Sequence, residues 1–114
     1  MHNAAPILYT EQSAHHVFSH GHAVNSPNIP GKSRFYPTEG GQKFTDEVVN
    51  HRTAKPPQLQ ANGRIKYDVD DLGRTVGKDI FGNPTRGGVV IVEGPNPKSW
   101  SIYSSGEVVT QFPK

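Results

Sequence analysis

The sequence predicts an α+β domain: N-terminal helices packed on a twisted antiparallel β-sheet of about four to five strands. Three observations carry this expectation. Apolar residues recur at helical spacing in the first half of the chain, and the period changes to two in the second half. Composition agrees, because 12 Gly, 10 Pro and only 32% hydrophobic residues favour short elements joined by many turns. A chain of 114 residues is read as one domain, residues 1–114, with 1–14 as a lead-in.

The first helix is expected over residues 11–18, with Val17 and Phe18 facing inward. A second runs over 41–51, where Phe44, Val48 and Val49 form one apolar stripe. Asp46 and Glu47 are read into its first half, where the helix dipole favours acids, and His51 and Arg52 at its end. Residues 53–62, with Pro56 and Pro57, connect helix to sheet. Ile65, Tyr67 and Val69 then alternate with Lys66, Asp68 and Asp70, as in a half-buried strand. Residues 74–79 are expected as a second strand, 81–84 as a turn, and the apolar run 89–92 as a central strand. Residues 94–97 read as a turn, and 100–103 and 107–112 as the last two strands. Short connections between successive strands imply antiparallel pairing.

Several function classes drop out. With no cysteine there is no disulfide framework, no thiolate metal site and no cysteine nucleophile. No apolar run reaches transmembrane length, and the start of the chain lacks the charged-then-apolar layout of a signal peptide. A net charge of +2 and a pI of about 9.0 suit a nucleic-acid ligand without demanding one.

The densest chemical feature is His15-His16-Val17-Phe18-Ser19-His20-Gly21-His22. It admits three readings. In the first, His20 and His22, two apart on an extended segment, share a metal ion. Such sites usually add a carboxylate or thiolate, and the nearest acid is Glu11. In the second, the imidazoles are an acid–base pair, since histidine gains and loses a proton near neutrality. RNA cleavage needs that pairing and no metal, because its nucleophile, the 2′-hydroxyl, is already in the substrate. In the third, they are exposed loop residues, with one of His15 and His16 packed or capping.

The cationic candidates are Lys32, Arg34, Arg64, Arg74, Lys78 and Arg86. Most surface cations are merely solvated. Arg74 and Arg86 each border a strand facing a turn, and the planar guanidinium matches phosphate. The hydroxyl candidates are Thr85, Tyr103 and Thr110. Thr110 alternates with Val109 and Gln111, which gives its side chain a defined face; the plainer reading is a β-branched strand former.

Taken in order, these residues resemble a family. A His-x-x-x-x-His start is followed by Lys32-Ser33-Arg34-Phe35, a helix, Gly77-x-Asp79-x-x-Gly82-x-Pro84-Thr85, an apolar strand and a terminal Thr110-x-Phe112-Pro113. From about residue 15 onward this is similar to the C-terminal toxin domains of bacterial polymorphic toxins, including contact-dependent growth inhibition effectors. The similarity is to those of the barnase/EndoU/colicin/RelE type. The resemblance implies a ribonuclease that cuts RNA, often tRNA, to a 2′,3′-cyclic phosphate without a cofactor. It implies a cognate immunity protein and, for some relatives, a host translation factor. It also implies delivery within a large secreted effector to the target-cell cytoplasm, with no membrane segment in the domain. Carried over by position, the motif's His falls on His20 or His22, its basic segment on Lys32 to Arg34, and its terminal Thr on Thr110. With the cations and hydroxyls above, the candidate catalytic residues are His20, His22, Arg74 and Thr110 and the candidate substrate-binding residues Lys32, Arg34, Lys78, Arg86 and Tyr103. Relatives place an Arg in the strand matching 89–92, where this chain has none, so Arg74 or Arg86 would have to substitute.

Overall fold

A computed structural model describes residues 7–26, 29–93 and 106–114. Among the described residues, two helices, α1 (Glu11–Ser19) and α2 (Gly41–Asn50), are packed with seven strands. These are β1 (Arg34–Phe35), β2 (Gln58–Leu59), β3 (Ile65–Val69), β4 (Gly77–Lys78), β5 (Pro84–Thr85), β6 (Gly88–Val92) and β7 (Val108–Pro113). The α+β expectation holds. The strands form two antiparallel sheets, however: a main one in the order β2-β3-β6-β7 and a small one in the order β1-β4-β5.

The main sheet follows from the period-two pattern. β6 is apolar on both faces and sits centrally, with Tyr67 opposite Val90 and Val90 opposite Gln111. Side chains alternate along each strand. Tyr67, Val69, Val90 and Gln111 therefore share one face, and Lys66, Asp68, Val89, Ile91, Thr110 and Phe112 share the other. The first face is covered by α2, whose Phe44 and Val48 join Val69, Val90 and Val92 in the core. Each apolar side chain of that size contributes about 2 kcal/mol on burial. A Cβ on Gly88 would come within 2.4 Å of the Phe44 ring, so only glycine lets α2 lie this close to β6.

Gln111 fastens the layers. It is fully buried; its Oε1 accepts the Gly41 N–H at 2.5 Å and its Nε2 donates to Thr45 Oγ1 at 2.9 Å. That bond caps the start of α2, where Gly40 offers no side chain. Helix α1 is capped by Thr10 and Ser13 in a reciprocal box, and Thr10 also donates to Glu107 at 2.6 Å. It lies along β7, with Ser13 Oγ donating to the Val108 carbonyl at 2.5 Å and Val17 in the core.

Several expectations are corrected. Phe18 is exposed at 37%, because only Ser13 and Val17 of α1 face inward. Residues 7–14 belong to the fold rather than to a lead-in, since Leu8 bridges Glu107 and α1 begins at Glu11. Asp46 and Glu47 fall past the middle of α2, whose first turn holds no acid. Of 74–79 only Gly77 and Lys78 pair as a strand, and they join the small sheet. The connector 53–62 contains β2. The expected turn at 94–97 and strand at 100–103 lie outside the described residues.

Candidate active site on the sheet face away from α2

The face of the main sheet turned away from α2 carries its polar residues in rows. Register aligns Lys66, Ile91 and Thr110 across β3, β6 and β7, and Asp68, Val89 and Phe112 in the next row. A bulge at Ile91/Val92 leaves Val109 unpaired between Val108 and Thr110, which re-aims the strand beside this row.

Thr110 Oγ1 is buried and has no hydrogen-bond partner. A buried hydroxyl ordinarily finds one, and leaving it unpaired costs about 1–3 kcal/mol. Two residues further along the same face, about 7 Å away, the Phe112 ring stacks on His22 with centroids 5.2 Å apart.

His22 is 8% exposed. Its Nδ1 lies 2.7 Å from the Ser33 carbonyl, which can only accept, so Nδ1 carries the proton and Nε2 is left as the acceptor. Burial pushes the His22 pKa below its ordinary 6.5, outweighing the Ser33 bond, and nearby Lys32, His20 and His16 push the same way. The imidazole is therefore neutral at pH 7. His16 and His20, one helical turn apart, stack with centroids 4.2 Å apart. Burial lowers the His16 pKa, and the charges of His20, Arg64 and His15 lower it further. His15 is exposed.

His20 and His22 do not share a direction, as an extended segment would require. His20 caps the end of α1 on the surface, whereas His22 turns inward onto Ser33. Among the described residues, no group of three or more His, Asp or Glu could hold a metal ion.

Cations at this face include Arg64 and Lys66. Arg64 immediately precedes β3 and, with Gln12, His16, Glu93, Glu107, Val108 and Val109, lines a cavity of about 130 Å³. Its nearest acid, Glu93, is 3.7 Å away and 55% exposed, a loose contact. Lys66 reaches Asp68 at 3.8 Å, and Asp68 is also contacted by Lys55 and Lys114.

Arg74 and Arg86, the cations preferred on sequence, are elsewhere. Arg74 lies beside α2, lining a cavity of about 540 Å³ that contains no imidazole. Its guanidinium donates to both oxygens of Glu39, at 3.0 and 2.8 Å, and to both of Glu47, at 2.6 and 2.7 Å. All of its forks are engaged, and Glu47 is held below the usual carboxylate pKa by that bond. Arg86 pairs with Asp71 at 3.0 Å on the surface. Lys32 is exposed close to His22; Arg34 is half-buried on β1 opposite the exposed Lys78. Tyr103 lies outside the described residues. The structure thus gathers His16, His20, His22, Lys32 and Arg64 around the face that carries Lys66 and Thr110, and leaves Arg74 and Arg86 out.

Lys66 was legible in the alternating pattern. If Ile65, Tyr67 and Val69 face the core, Lys66 must occupy the face that Thr110 occupies. Arg64 carried no such signal, because its place beside His16 depends on α1 lying along β7. No helix among the described residues is long and apolar enough to cross a membrane. Comparison with known families, curated proteins and solved structures finds no match to this chain.

Proposed function

We propose that this domain is a toxin ribonuclease that cuts RNA, with tRNA the expected substrate, by transesterification at the sheet face turned away from α2. The observation that carries the reading is the buried Thr110 hydroxyl without a partner, on the same face as the contact between Phe112 and His22. Such a group is destabilising unless a ligand supplies the missing bond. A phosphate oxygen would accept it.

The chemistry follows from the protonation states. Neutral His22, its tautomer fixed by Ser33, offers Nε2 to take the 2′-hydroxyl proton. The freed oxygen attacks the adjacent phosphorus, forming the 2′,3′-cyclic phosphate as the bond to the 5′-oxygen breaks. The stacked pair His16 and His20 returns a proton to that oxygen. Burial and the charge of His20 lower the proton affinity of His16, which favours release of its proton. Arg64 and Lys66 offset the charge that grows on the phosphorane, and Thr110 donates to a non-bridging oxygen. Lys32 extends the basic surface beside His22.

The resemblance noted in the sequence supports the proposed partners: a cognate immunity protein that blocks this face, and a translation factor of the target cell that presents tRNA. Delivery within a larger secreted effector belongs to the same proposal.

The test is to incubate the domain with total tRNA in EDTA and examine products on a denaturing gel. Discrete fragments ending in cyclic phosphate are expected. Cleavage that appears only with added divalent metal would overturn the mechanism. Intact tRNA under every condition, translation factor included, would leave a binding module.

A further inference from the structure

The small sheet ends in an apolar tip. Phe81 is 81% exposed and Ile80 55% exposed at the tip of the turn between β4 and β5. A single exposed apolar side chain is ordinary on a protein surface; what sets this one apart is its place at the end of a bonded turn beside basic residues.

The tip is held rigidly. Asp79 Oδ1 accepts from the backbone N–H of Phe81 and of Asn83, both at 2.9 Å. The Asp79 N–H donates to the Asn83 carbonyl at 2.8 Å, and the Gly82 N–H to the Asp79 carbonyl at 3.0 Å. Gly82 has φ +83°, a conformation that other residues adopt only with strain. Four bonds within five residues fix the direction in which the Phe81 ring leaves the backbone.

The base of this finger adjoins the proposed site. β1 lies between the two, with the Phe35 N–H donating to the His22 carbonyl at 2.8 Å and Gly77 packed against Pro113 at the end of β7. Lys78, at the start of the turn, lies opposite Arg34, and Lys32 is two residues before Arg34 near His22. Basic residues therefore run from the imidazoles to the finger. A polyanion following them would bring its next group to the Phe81 ring.

We propose that Phe81 is a nucleobase-stacking residue that fixes where an RNA strand enters the sheet face. An aromatic ring beside a basic track is the arrangement that binds single strands, because every base offers a flat face to stack on. The assignment rests on the RNA reading above. It adds the element that positions a nucleotide away from the scissile bond, so Phe81 is a positioning residue.

The experiment measures binding of a mixed-sequence 2′-O-methyl RNA oligonucleotide, which cannot be cut because its 2′-oxygen is blocked. Wild type is compared with Phe81→Ala, Phe81→Leu and Phe81→Tyr. The Ala and Leu variants are expected to bind about tenfold more weakly, and Tyr, which keeps the ring, to match wild type. With cleavable tRNA, Phe81→Ala should raise KM and leave kcat nearly unchanged. Equal affinity for wild type and Phe81→Ala would overturn the stacking role and leave the tip to a protein partner. Full affinity with Leu would overturn it as well, since an apolar contact would suffice. Wild type that fails to bind the oligonucleotide would overturn the RNA reading together with this one.

Discussion

Arg74 and Thr110 lie on opposite sides of the molecule and use their bonding capacity in opposite ways. Arg74 meets two carboxylates in four hydrogen bonds beside α2. Thr110 Oγ1 is buried on the sheet face turned away from α2, with no hydrogen-bond partner. The first arrangement stabilises the fold and leaves one of the five N–H donors for a ligand. The second costs stability and leaves a donor in place for one. Under the proposed function, engaged side chains are structural and those held in position with capacity unused are candidates for the site.

The sharpest break in that comparison comes from removing the proposed base. His22→Ala should lower tRNA cleavage by about 10²- to 10⁴-fold, read as initial rates on a gel, while the circular dichroism spectrum keeps its shape. A rate within twofold of wild type would remove His22 from the chemistry. His16→Ala and His20→Ala, measured alongside, divide the acid role between the stacked rings.

Thr110→Val gives the next largest effect, with opposite signs in two assays. Valine has nearly the shape of threonine and lacks the unpaired hydroxyl. Unfolding in urea should therefore show a gain of about 1 kcal/mol. Cleavage should fall about tenfold or more with the loss of a bond to the phosphorane. Lower stability in Thr110→Val would show that the hydroxyl has a partner, and the contrast with Arg74 would collapse.

Arg74→Ala tests the other side. The guanidinium is 40% exposed, so screening limits its contribution despite the bidentate geometry. A loss of about 1 kcal/mol, or about 4 °C in Tm, is expected, with cleavage within about twofold of wild type. A large fall in cleavage at unchanged stability would return Arg74 to the site.

The same contrast explains what was legible in the sequence. α2, β3 and β7 were readable because each holds a period over several residues, and β6 because it is a continuous apolar run. β1, β2, β4 and β5 pair over two residues apiece, too few to show any period. The small sheet also joins β1 to segments more than 40 residues away, which local pattern does not encode. Thr110 and the imidazoles were readable as chemistry from alternation and from clustering. The choice among arginines was not. Arg74 is neutralised by Glu39 and Glu47, which are 35 and 27 residues distant in sequence, and only the fold brings them together.

The smallest expected effect separates the two regions by pH. His22 is buried neutral, and its folded pKa lies below the ordinary 6.5. Below that value the unfolded chain binds the proton more readily, so stability is full above about pH 6.5 and declines as pH falls toward the folded value. Glu47 works in a lower window. The Arg74 bond depresses its pKa from 4.5, so its contribution is present above about 4.5 and is lost as pH falls through the folded value. Urea unfolding at about pH 8, 6 and 4 should therefore show two declines with separate origins. His22→Ala should reduce the step between pH 8 and 6, to which His16 also contributes, and spare the one below; Arg74→Ala should reduce the lower step, to which Asp70 and Asp71 also contribute, and spare the upper. If Arg74→Ala flattened the upper step instead, the imidazoles and the ion pair would be one coupled unit rather than two regions.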